Sequence, residues 1–126
     1  MASTSAPGIE YRKAGSSDRQ AVFALVQNTI KAVYPRYYPQ GVVDFFRELH
    51  SYDAISADIN DGNVYVLLAG STLAGTGTRA EDHISRLFVS PALQGKGYGN
   101  YIMQRLEDEI ALEYRRCFLI SALPAR

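Results

Sequence analysis

This chain of 126 residues has a single cysteine and a formal net charge of zero. Its one cysteine, Cys117, excludes an intrachain disulfide framework and the paired-cysteine zinc patterns, so we expect no bound metal and a cytoplasmic location. The 13 Lys+Arg residues balance the 13 Asp+Glu residues and are scattered among them along the whole length. Without a basic patch, nucleic acid is not an expected partner.

Long hydrophobic runs are also absent. The longest, Val64–Ala69 and residues 117–120, are far shorter than the ~20 residues that span a bilayer, so no membrane partner is expected. Residues 1–8 are rich in Ser, Ala and Pro and have no apolar stretch, which indicates a disordered start and not a signal peptide. The composition, 47% hydrophobic and 21% charged, is that of a globular protein, and residues 9–126 are expected to form a single domain.

Hydrophobic spacing predicts an α+β domain. After a short strand over residues 9–14, apolar residues keep helical spacing over residues 22–33 and 42–49, with a further short helical piece over 53–59. Three strand-like runs follow, at residues 64–69, 73–78 and 83–90. Because a Gly70-Ser71 turn suits a tight hairpin between the first two, the three runs should form an antiparallel meander.

A strand, a helix and a second strand are predicted to complete the domain. Residues 98–110 keep helical spacing, and residues 117–123 are strand-like. Two strands joined through a helix pair in parallel by a right-handed crossover in nearly all cases. We therefore expect a mixed, mostly antiparallel sheet flanked by helices, in the order strand, two helices, three strands, helix, strand.

The segment of residues 87–100 runs from a strand through a glycine-rich turn into a helix. Backbone N–H groups converge there at the positive end of the helix dipole, which favours an anion such as a phosphate. Gly97 and Gly99 can adopt positive φ or admit a close ligand, and Lys96 can add a cation. A tight turn that binds nothing is the alternative, since alternating glycines alone are a weak signal. A Walker-type loop is excluded, because Lys96 is followed by glycine and not by Ser or Thr.

These residues resemble the signature of the GCN5-related N-acetyltransferase (GNAT) superfamily, which is Gln or Arg, any two residues, Gly, any residue, then Gly or Ala. Residues 94–99 match it in full, and the preceding strand ends in the Leu-aromatic-Val-x-Pro pattern over residues 87–91. The order of predicted elements also matches that superfamily. The resemblance covers residues 9–126, and its specific part is residues 84–106.

The resemblance implies direct transfer of an acetyl group from the cosubstrate acetyl-CoA to a primary amine on a small molecule or peptide. Backbone groups along the fourth strand would bind the pantetheine arm like an added strand, with the Val89 amide polarising the thioester carbonyl. Amides of the glycine turn would hold the pyrophosphate. The cofactor-binding residues so implied are Leu87, Phe88, Val89, Gln94, Gly95, Lys96, Gly97, Tyr98, Gly99 and Asn100.

The resemblance is weaker for the acid and the base. Relatives carry a base carboxylate where this chain has His83, and a histidine can also act as a general base. Its neighbour Glu81 could act through water. The alternative is that these residues only form the solvated start of a strand and have no catalytic role. In relatives the usual acid is a tyrosine on a helix after the fifth strand, and the sequence stops before that helix. The domain is therefore expected to lack the last helix and hairpin and to be C-terminally incomplete. An exposed fifth-strand edge would favour a homodimer. A non-catalytic CoA-binding or protein-interaction module is therefore the alternative function.

Four further features are interpreted from the residues. The tyrosines of the linker between the first two helices, Tyr34, Tyr37 and Tyr38, either line an acceptor groove, as the resemblance implies, or pack into the core. Cys117 is expected to pack as a small apolar residue. His50 is interpreted as a cation that caps a helix C-terminus. Arg86 either pairs with an acid or faces the groove.

Overall fold

The computed structural model describes residues 8–80 and 83–122, with residues 114–122 by their backbone alone. The strands are β1 (Ile9–Lys13), β2 (Val64–Ala69), β3 (Thr72–Ala80) and β4 (His83–Val89), and the helices are α1 (Arg19–Val33), α2 (Gln40–Leu49), α3 (Tyr52–Asn60) and α4 (Tyr98–Ala122). Short 3₁₀ turns lie at Ser16–Asp18, Tyr34–Arg36 and Pro91–Leu93. The predicted α+β class with helices flanking a sheet is confirmed. The predicted disordered start, apart from Gly8, lies outside the described residues.

The sheet has the order β1-β2-β3-β4, and every neighbouring pair is antiparallel. The predicted meander of β2, β3 and β4 is confirmed, and Gly70 turns the first hairpin with φ of 66°. Such a positive φ costs glycine little because it has no Cβ. β4 is an edge strand of this sheet as far as the chain is described.

The predicted fifth strand is wrong for residues 117–122, which continue α4 to Ala122. No glycine or proline occurs between Gly99 and Pro124, so the sequence holds no strong helix breaker at residue 110, where the helix was expected to end. The parallel pairing is therefore not formed by these residues, and residues 117–122 provide no fifth-strand edge for the expected homodimer. Leu123 and the Cys117 side chain lie outside the described part. No helix within residues 8–80 and 83–122 is both long and apolar enough to cross a membrane.

The core has two parts, one on each face of the sheet. Because successive side chains of a strand point to opposite faces, Val64 and Val66 face one side, and Tyr65 and Leu67 face the other. The larger part is formed with the helices α1, α2 and α3, through buried residues that include Val22, Val26, Ile30, Val43, Ile55 and Ile59. On the other face, Ile102 and Leu106 of α4 complete the smaller part.

Two glycines of β3 let α4 lie unusually close to the sheet. A Cβ on Gly77 would lie 2.6 Å from Cδ1 of Leu106 and 2.7 Å from Cγ2 of Ile102, and one on Gly75 would lie 2.8 Å from Cδ1 of Ile102. These distances are too short for real carbon contacts, so a larger residue would force the Leu106 and Ile102 side chains, or the helix itself, to shift. The glycines thereby help to set where α4 begins relative to the end of β4.

Candidate functional site

A cleft of about 390 Å³ lies where β4 ends and α4 begins. Eight of the ten predicted cofactor-binding residues line it together: Leu87, Val89, Gln94, Gly95, Gly97, Tyr98, Gly99 and Asn100. The other two, Phe88 and Lys96, do not line it. The Phe88 side chain is buried in the core, and Lys96 is exposed on the turn.

Two left-handed glycines shape the turn between β4 and α4. Gly95 has φ of 85° and Gly97 has φ of 88°, and a Cβ on either would meet no atom within 4 Å. Of the two options predicted for Gly97 and Gly99, positive φ or room for a close ligand, Gly97 takes the positive φ. Gly99 does not, because it already belongs to the first turn of α4, and its Cβ would lie 3.5 Å from Cγ2 of Val89. The open space above the turn therefore belongs to Gly95 and Gly97.

The start of α4 presents unpaired backbone donors to the same cleft. Tyr101 N–H donates to the carbonyl of Gly97 over 3.0 Å. The N–H groups of Tyr98, Gly99 and Asn100 precede that bond, so they have no carbonyl one turn earlier within the helix. Together with the positive end of the helix dipole, they form a cradle for an anion.

The edge of β4 supplies a second set of backbone groups. Ser90 N–H donates to Ala74 on β3 over 2.8 Å, and the direction of these bonds alternates along an antiparallel strand. The backbone groups of Leu87 and Val89 therefore point away from β3 toward the open edge, while those of Phe88 point toward β3. The predicted backbone contact of a ligand with Phe88 does not fit this direction, whereas contacts with Leu87 and Val89 do.

Gln94 fixes the turn to the strand. Its side-chain Nε2 donates to the carbonyl oxygen of Val89 over 3.1 Å. The first residue of the glycine motif thus bonds to one of the outward-facing groups of β4. This contact sets the spacing between the turn and the strand edge.

The predicted base candidate His83 lies away from this cleft. His83 is the first residue of β4, is exposed, and pairs in register with Ala80. Four residues of a strand separate it from Leu87, which is about 13 Å of extended backbone. A proton therefore reaches His83 from the cleft only through water. Glu81 lies outside the described residues.

A buried polar cluster beneath β4 was not found by sequence reasoning. Arg86 donates from Nε to Nδ1 of His50 over 2.9 Å, and from Nη1 to Oδ2 of Asp58 over 2.9 Å and to Oγ1 of Thr78 over 3.2 Å. Of the two predicted alternatives, Arg86 thus pairs with an acid. No local pattern indicates this cluster, because His50 and Asp58 lie 36 and 28 residues from Arg86 in the chain.

His50 lies at the C-terminus of α2, as predicted, with its backbone N–H donating to the Phe46 carbonyl over 3.1 Å, but it is not the cation that was predicted. Burial, and after it the neighbouring Arg86 guanidinium, lower the pKa of His50 to about 4. A neutral ring also leaves a lone pair on Nδ1 for the Arg86 donor, which an imidazolium could not offer. Gln27 holds the backbone at this position, with Nε2 donating to the His50 carbonyl over 2.8 Å.

The tyrosines of the linker differ in burial. Tyr34 packs against the core, with its ring centroid 6.3 Å from Phe88 at 25° and 5.2 Å from Phe46 at 86°. Burial, and then Tyr38, raise the pKa of Tyr34, so its hydroxyl keeps its proton near neutral pH. Tyr37 and Tyr38 are instead 72% and 46% exposed.

Residues 33–125, more than half of the chain, match the acetyltransferase (GNAT) domain family. The chain therefore belongs to the GNAT acetyltransferase family, which confirms the resemblance seen in the sequence. No curated protein matches the chain.

Solved structures share the fold. PaiA N-acetyltransferase from Thermoplasma acidophilum, in complex with coenzyme A, is similar with a TM-score of 0.70 and 21% identity over 83% of this chain and 73% of that one. A GCN5-related N-acetyltransferase from Rhodopseudomonas palustris is similar with a TM-score of 0.77 and 15% identity, over 89% of this chain and 71% of that one. N-acetylglutamate synthase from Neisseria gonorrhoeae, complexed with coenzyme A and N-acetyl-glutamate, has a TM-score of 0.57 and 20% identity. The match covers 82% of this chain and 22% of that one. At these identities the likeness establishes the fold alone.

Proposed function

We propose that this GNAT domain is an acetyl-CoA-dependent N-acetyltransferase that moves an acetyl group directly to a primary amine. The observation that carries the proposal is the cleft where the open edge of β4 meets the start of α4. Its two sets of backbone groups, the N–H groups at the start of α4 and the outward-facing groups of β4, suit the two chemically different parts of coenzyme A. PaiA and N-acetylglutamate synthase, which share the fold, have been described with coenzyme A.

The pyrophosphate binds at the glycine turn in this proposal. The N–H groups of Tyr98, Gly99 and Asn100 donate to its oxygens, and Gly95 and Gly97 leave the room that the phosphates need. Lys96 lies beside this space on the turn and adds a positive charge.

The pantetheine arm lies along β4 as an added strand. Its amides pair with the outward-facing backbone groups of Leu87 and Val89, as peptides do when they extend a sheet edge. This places the thioester beside β4, where a backbone N–H, that of Val89 in our proposal, donates to the carbonyl oxygen. The amine nitrogen attacks the carbonyl carbon, the C–N bond forms, and the C–S bond then breaks. The N–H donor stabilises the oxyanion between these steps.

The acceptor amine must lose a proton during this attack. His83 receives it through water in our proposal, with Glu81 as its neighbour, and the leaving thiolate takes up a proton from solvent. The acceptor enters from the side of Tyr34, Tyr37 and Tyr38. Tyr34 packs on Phe88, which lies between the two β4 residues that bind pantetheine.

Calorimetric titration with acetyl-CoA tests the site. The variant Gly97→Glu places a charged side chain in the cleft, and Gly62→Glu is its control, because Gly62 also has positive φ, 77°, but lies in the turn before β2. We expect one-site binding by the wild-type protein, a loss of affinity of at least 100-fold in Gly97→Glu, and wild-type affinity in Gly62→Glu. Equal affinities in all three proteins would remove the site assignment.

Release of free CoA thiol tests turnover. With acetyl-CoA and a panel of primary amines, an enzyme releases thiol at a rate that depends on the amine. A protein that binds acetyl-CoA but releases no thiol with any amine would instead be a non-catalytic CoA-binding module. Binding and release are thus measured separately.

A further inference from the structure

We infer that Arg86 is a positioning residue for coenzyme A: its buried side chain fixes the register of β4 and so decides which backbone groups face the cleft. This inference rests on the proposed function and concerns the strand of the same site. It is carried by a bulge before Arg86, by the contacts of its side chain, and by two glycines opposite the cleft-lining residues.

The pairing of β4 with β3 is interrupted just before Arg86. Two adjacent residues of β3, Thr78 and Arg79, pair with residues of β4 that are two apart, Arg86 and Ile84. Ser85 is therefore one extra residue on β4, a β-bulge. Bulges are common beside active sites, because they change the direction in which the following residues point. Arg86 is thus the first residue of the register that continues to the end of the strand.

A different register would change what β4 presents to the cleft. The orientation of a strand residue alternates with a period of two, so a slip by one residue exchanges the two orientations. The backbone groups of Leu87 and Val89 would then point toward β3, and those of Phe88 would point to the open edge. The Phe88 side chain, which is buried beside the helices, would leave that face of the sheet. Binding of the pantetheine arm therefore requires the observed register.

The side chain of Arg86 bonds to three partners that hold this register. Nη1 donates to Oγ1 of Thr78, the residue with which Arg86 pairs in the sheet, over 3.2 Å. The other two partners are Asp58 and His50, both on the helical face and both at 2.9 Å. Arg86 is only 8% exposed, and a buried charge that loses its partners is strongly unfavourable. A slipped strand would separate the guanidinium from these groups, so their contacts disfavour the slip.

The residues of β3 opposite the cleft-lining positions give little help. Leu87 pairs with Gly77, and Val89 pairs with Gly75. Contacts between paired side chains normally stabilise one register of two strands, and glycine has no side chain to contribute. The register at this end of β4 therefore depends on the opposite face of the sheet, where the side chains of Arg86 and Phe88 are buried.

The variant Arg86→Met tests the inference by calorimetric titration with acetyl-CoA. Methionine fills the buried position without a charge but donates to none of the three partners, and Asp58, with 33% of its side chain exposed, remains hydrated. We expect the Kd to rise about tenfold or more, because the strand edge no longer matches the pantetheine amides. An unchanged Kd in Arg86→Met would overturn the inference.

Arg79→Met is the matched control for the loss of a paired arginine. Arg79 also lies on the sheet and pairs with a carboxylate, that of Glu113 on α4, but it lies on the other side of the bulge from the cleft. We expect its Kd for acetyl-CoA to stay within about twofold of the wild-type value, as is usual for sites that share no partners. A rise as large as that in Arg86→Met would contradict a specific role of Arg86.

A ligand without the pantetheine arm separates positioning from general damage to the fold. ADP carries the pyrophosphate of coenzyme A but has no group that lies along β4, so the register of the strand does not enter its binding at the glycine turn. Titration followed by NMR measures its Kd in the wild-type protein and in Arg86→Met. We expect these two values to agree within about twofold. An equal loss of affinity for ADP and acetyl-CoA would show that Arg86 only supports the fold.

A pair of threonine variants tests the register contact while Arg86 and its charge remain. Thr78→Val removes the hydroxyl that accepts from Arg86. Thr76→Val is the control, because Thr76 is equally buried on the same strand but bonds to the carbonyl of Tyr65 on β2. We expect Thr78→Val to raise the Kd for acetyl-CoA about 3- to 10-fold, the range of one hydrogen bond, and Thr76→Val to leave it unchanged. Equal values for the two variants would overturn the inference, whether or not Arg86→Met folds.

Failure of this inference differs from failure of the proposed function. A wild-type protein that does not bind acetyl-CoA refutes both. A wild-type protein that binds acetyl-CoA, with the same affinity as Arg86→Met and Thr78→Val, refutes the positioning role of Arg86 alone.

Discussion

The Nε atom of Arg86 donates a hydrogen bond to Nδ1 of His50 over 2.9 Å, and this contact joins β4 to the helices on one face of the sheet. Arg86 lies on β4, His50 follows α2 directly, and the second partner of Arg86, Asp58, lies on α3. The His50 ring also contacts Phe88 edge to face at 5.6 Å. A change at His50 therefore affects the strand that forms the cleft.

The neutral state of His50 predicts a loss of stability in mild acid. Its pKa is about 4 when folded and 6.5 in its ordinary state, so between these values the unfolded chain binds more protons. The contribution of His50 to the free energy of unfolding is fully present above pH 6.5. It is lost as the pH falls toward 4, which lowers the free energy of unfolding by at most about 3 kcal/mol. Urea unfolding from pH 7.5 to 4.5 measures the decrease.

His50→Gln is the matched variant for this pH dependence. Its amide oxygen still accepts from Arg86 but does not titrate, while the carboxylates of the wild-type protein remain. We expect a shallower decrease of the unfolding free energy below pH 6.5 in the variant. Identical pH profiles would show that folding does not lower the pKa of His50.

Gly77→Ala is expected to destabilise the protein by about 1–3 kcal/mol, because overpacking forces side chains or backbone to shift. The added Cβ would lie 2.6 Å from Leu106 and 2.7 Å from Ile102. Gly41→Ala is the control, since a Cβ there meets no atom within 4 Å and lies in the helix α2, which alanine favours. Equal urea midpoints for the two variants would contradict the close approach of α4.

Asp18→Asn is expected to lower stability by about 1 kcal/mol at neutral pH, because a charge-assisted pair and its hydrogen bonds are lost. Asp18 accepts from Arg12 over 2.8 and 3.1 Å and from Gly15 N–H over 2.7 Å. The Arg12 hydrogen bond, followed by the Gly15 N–H, holds the pKa of Asp18 below its usual value. The stabilisation is therefore present above pH 4 and lost as the pH falls further.

Glu10→Gln provides the comparison for Asp18. Glu10 lies 3.7 Å from the same Arg12 with 65% of its side chain exposed, so its pair contributes less than about 0.5 kcal/mol. Thermal unfolding at pH 7 should separate the two variants, and at pH 3 the Asp18→Asn difference should shrink. A loss in Glu10→Gln as large as in Asp18→Asn would disprove this ranking.

Gln94→Glu is expected to weaken acetyl-CoA binding about 2- to 10-fold, the range of one hydrogen bond. The substitution removes the Nε2 donor to Val89 and places a carboxylate beside the carbonyl oxygen. Gln20→Glu makes the same charge change on an exposed position of α1 and should leave the Kd unchanged. Equal Kd values in calorimetry would mean that Gln94 does not hold the turn.

Local patterns were sufficient for most of the fold. The predicted helices over residues 22–33 and 42–49 and the meander of three strands match α1, α2 and β2 to β4. The glycine turn was predicted from the alternating glycines between a strand and a helix, and in the structure Gly95 and Gly97 adopt a conformation that other residues rarely adopt. Each of these predictions depends on side-chain period or turn chemistry within a few neighbouring residues.

Helix α4 shows where local pattern failed. Residues 117–120 are apolar, which favoured a buried strand, but a short apolar run does not distinguish a strand from a helix. Without a glycine or proline after Gly99, the helix continues to Ala122. A strand at this point needs a neighbour to satisfy its backbone, and that depends on the rest of the fold.

The class of the domain, its meander and the glycine turn could be predicted from the sequence, because they depend on residues close together in the chain. The neutral state of His50, the pairing of Arg86 and the close approach of α4 to Gly77 became visible in the folded structure alone. The partners of Arg86 at His50 and Asp58 lie 36 and 28 residues away in the chain. Burial, which sets the pKa of His50, exists only once these distant elements have packed together.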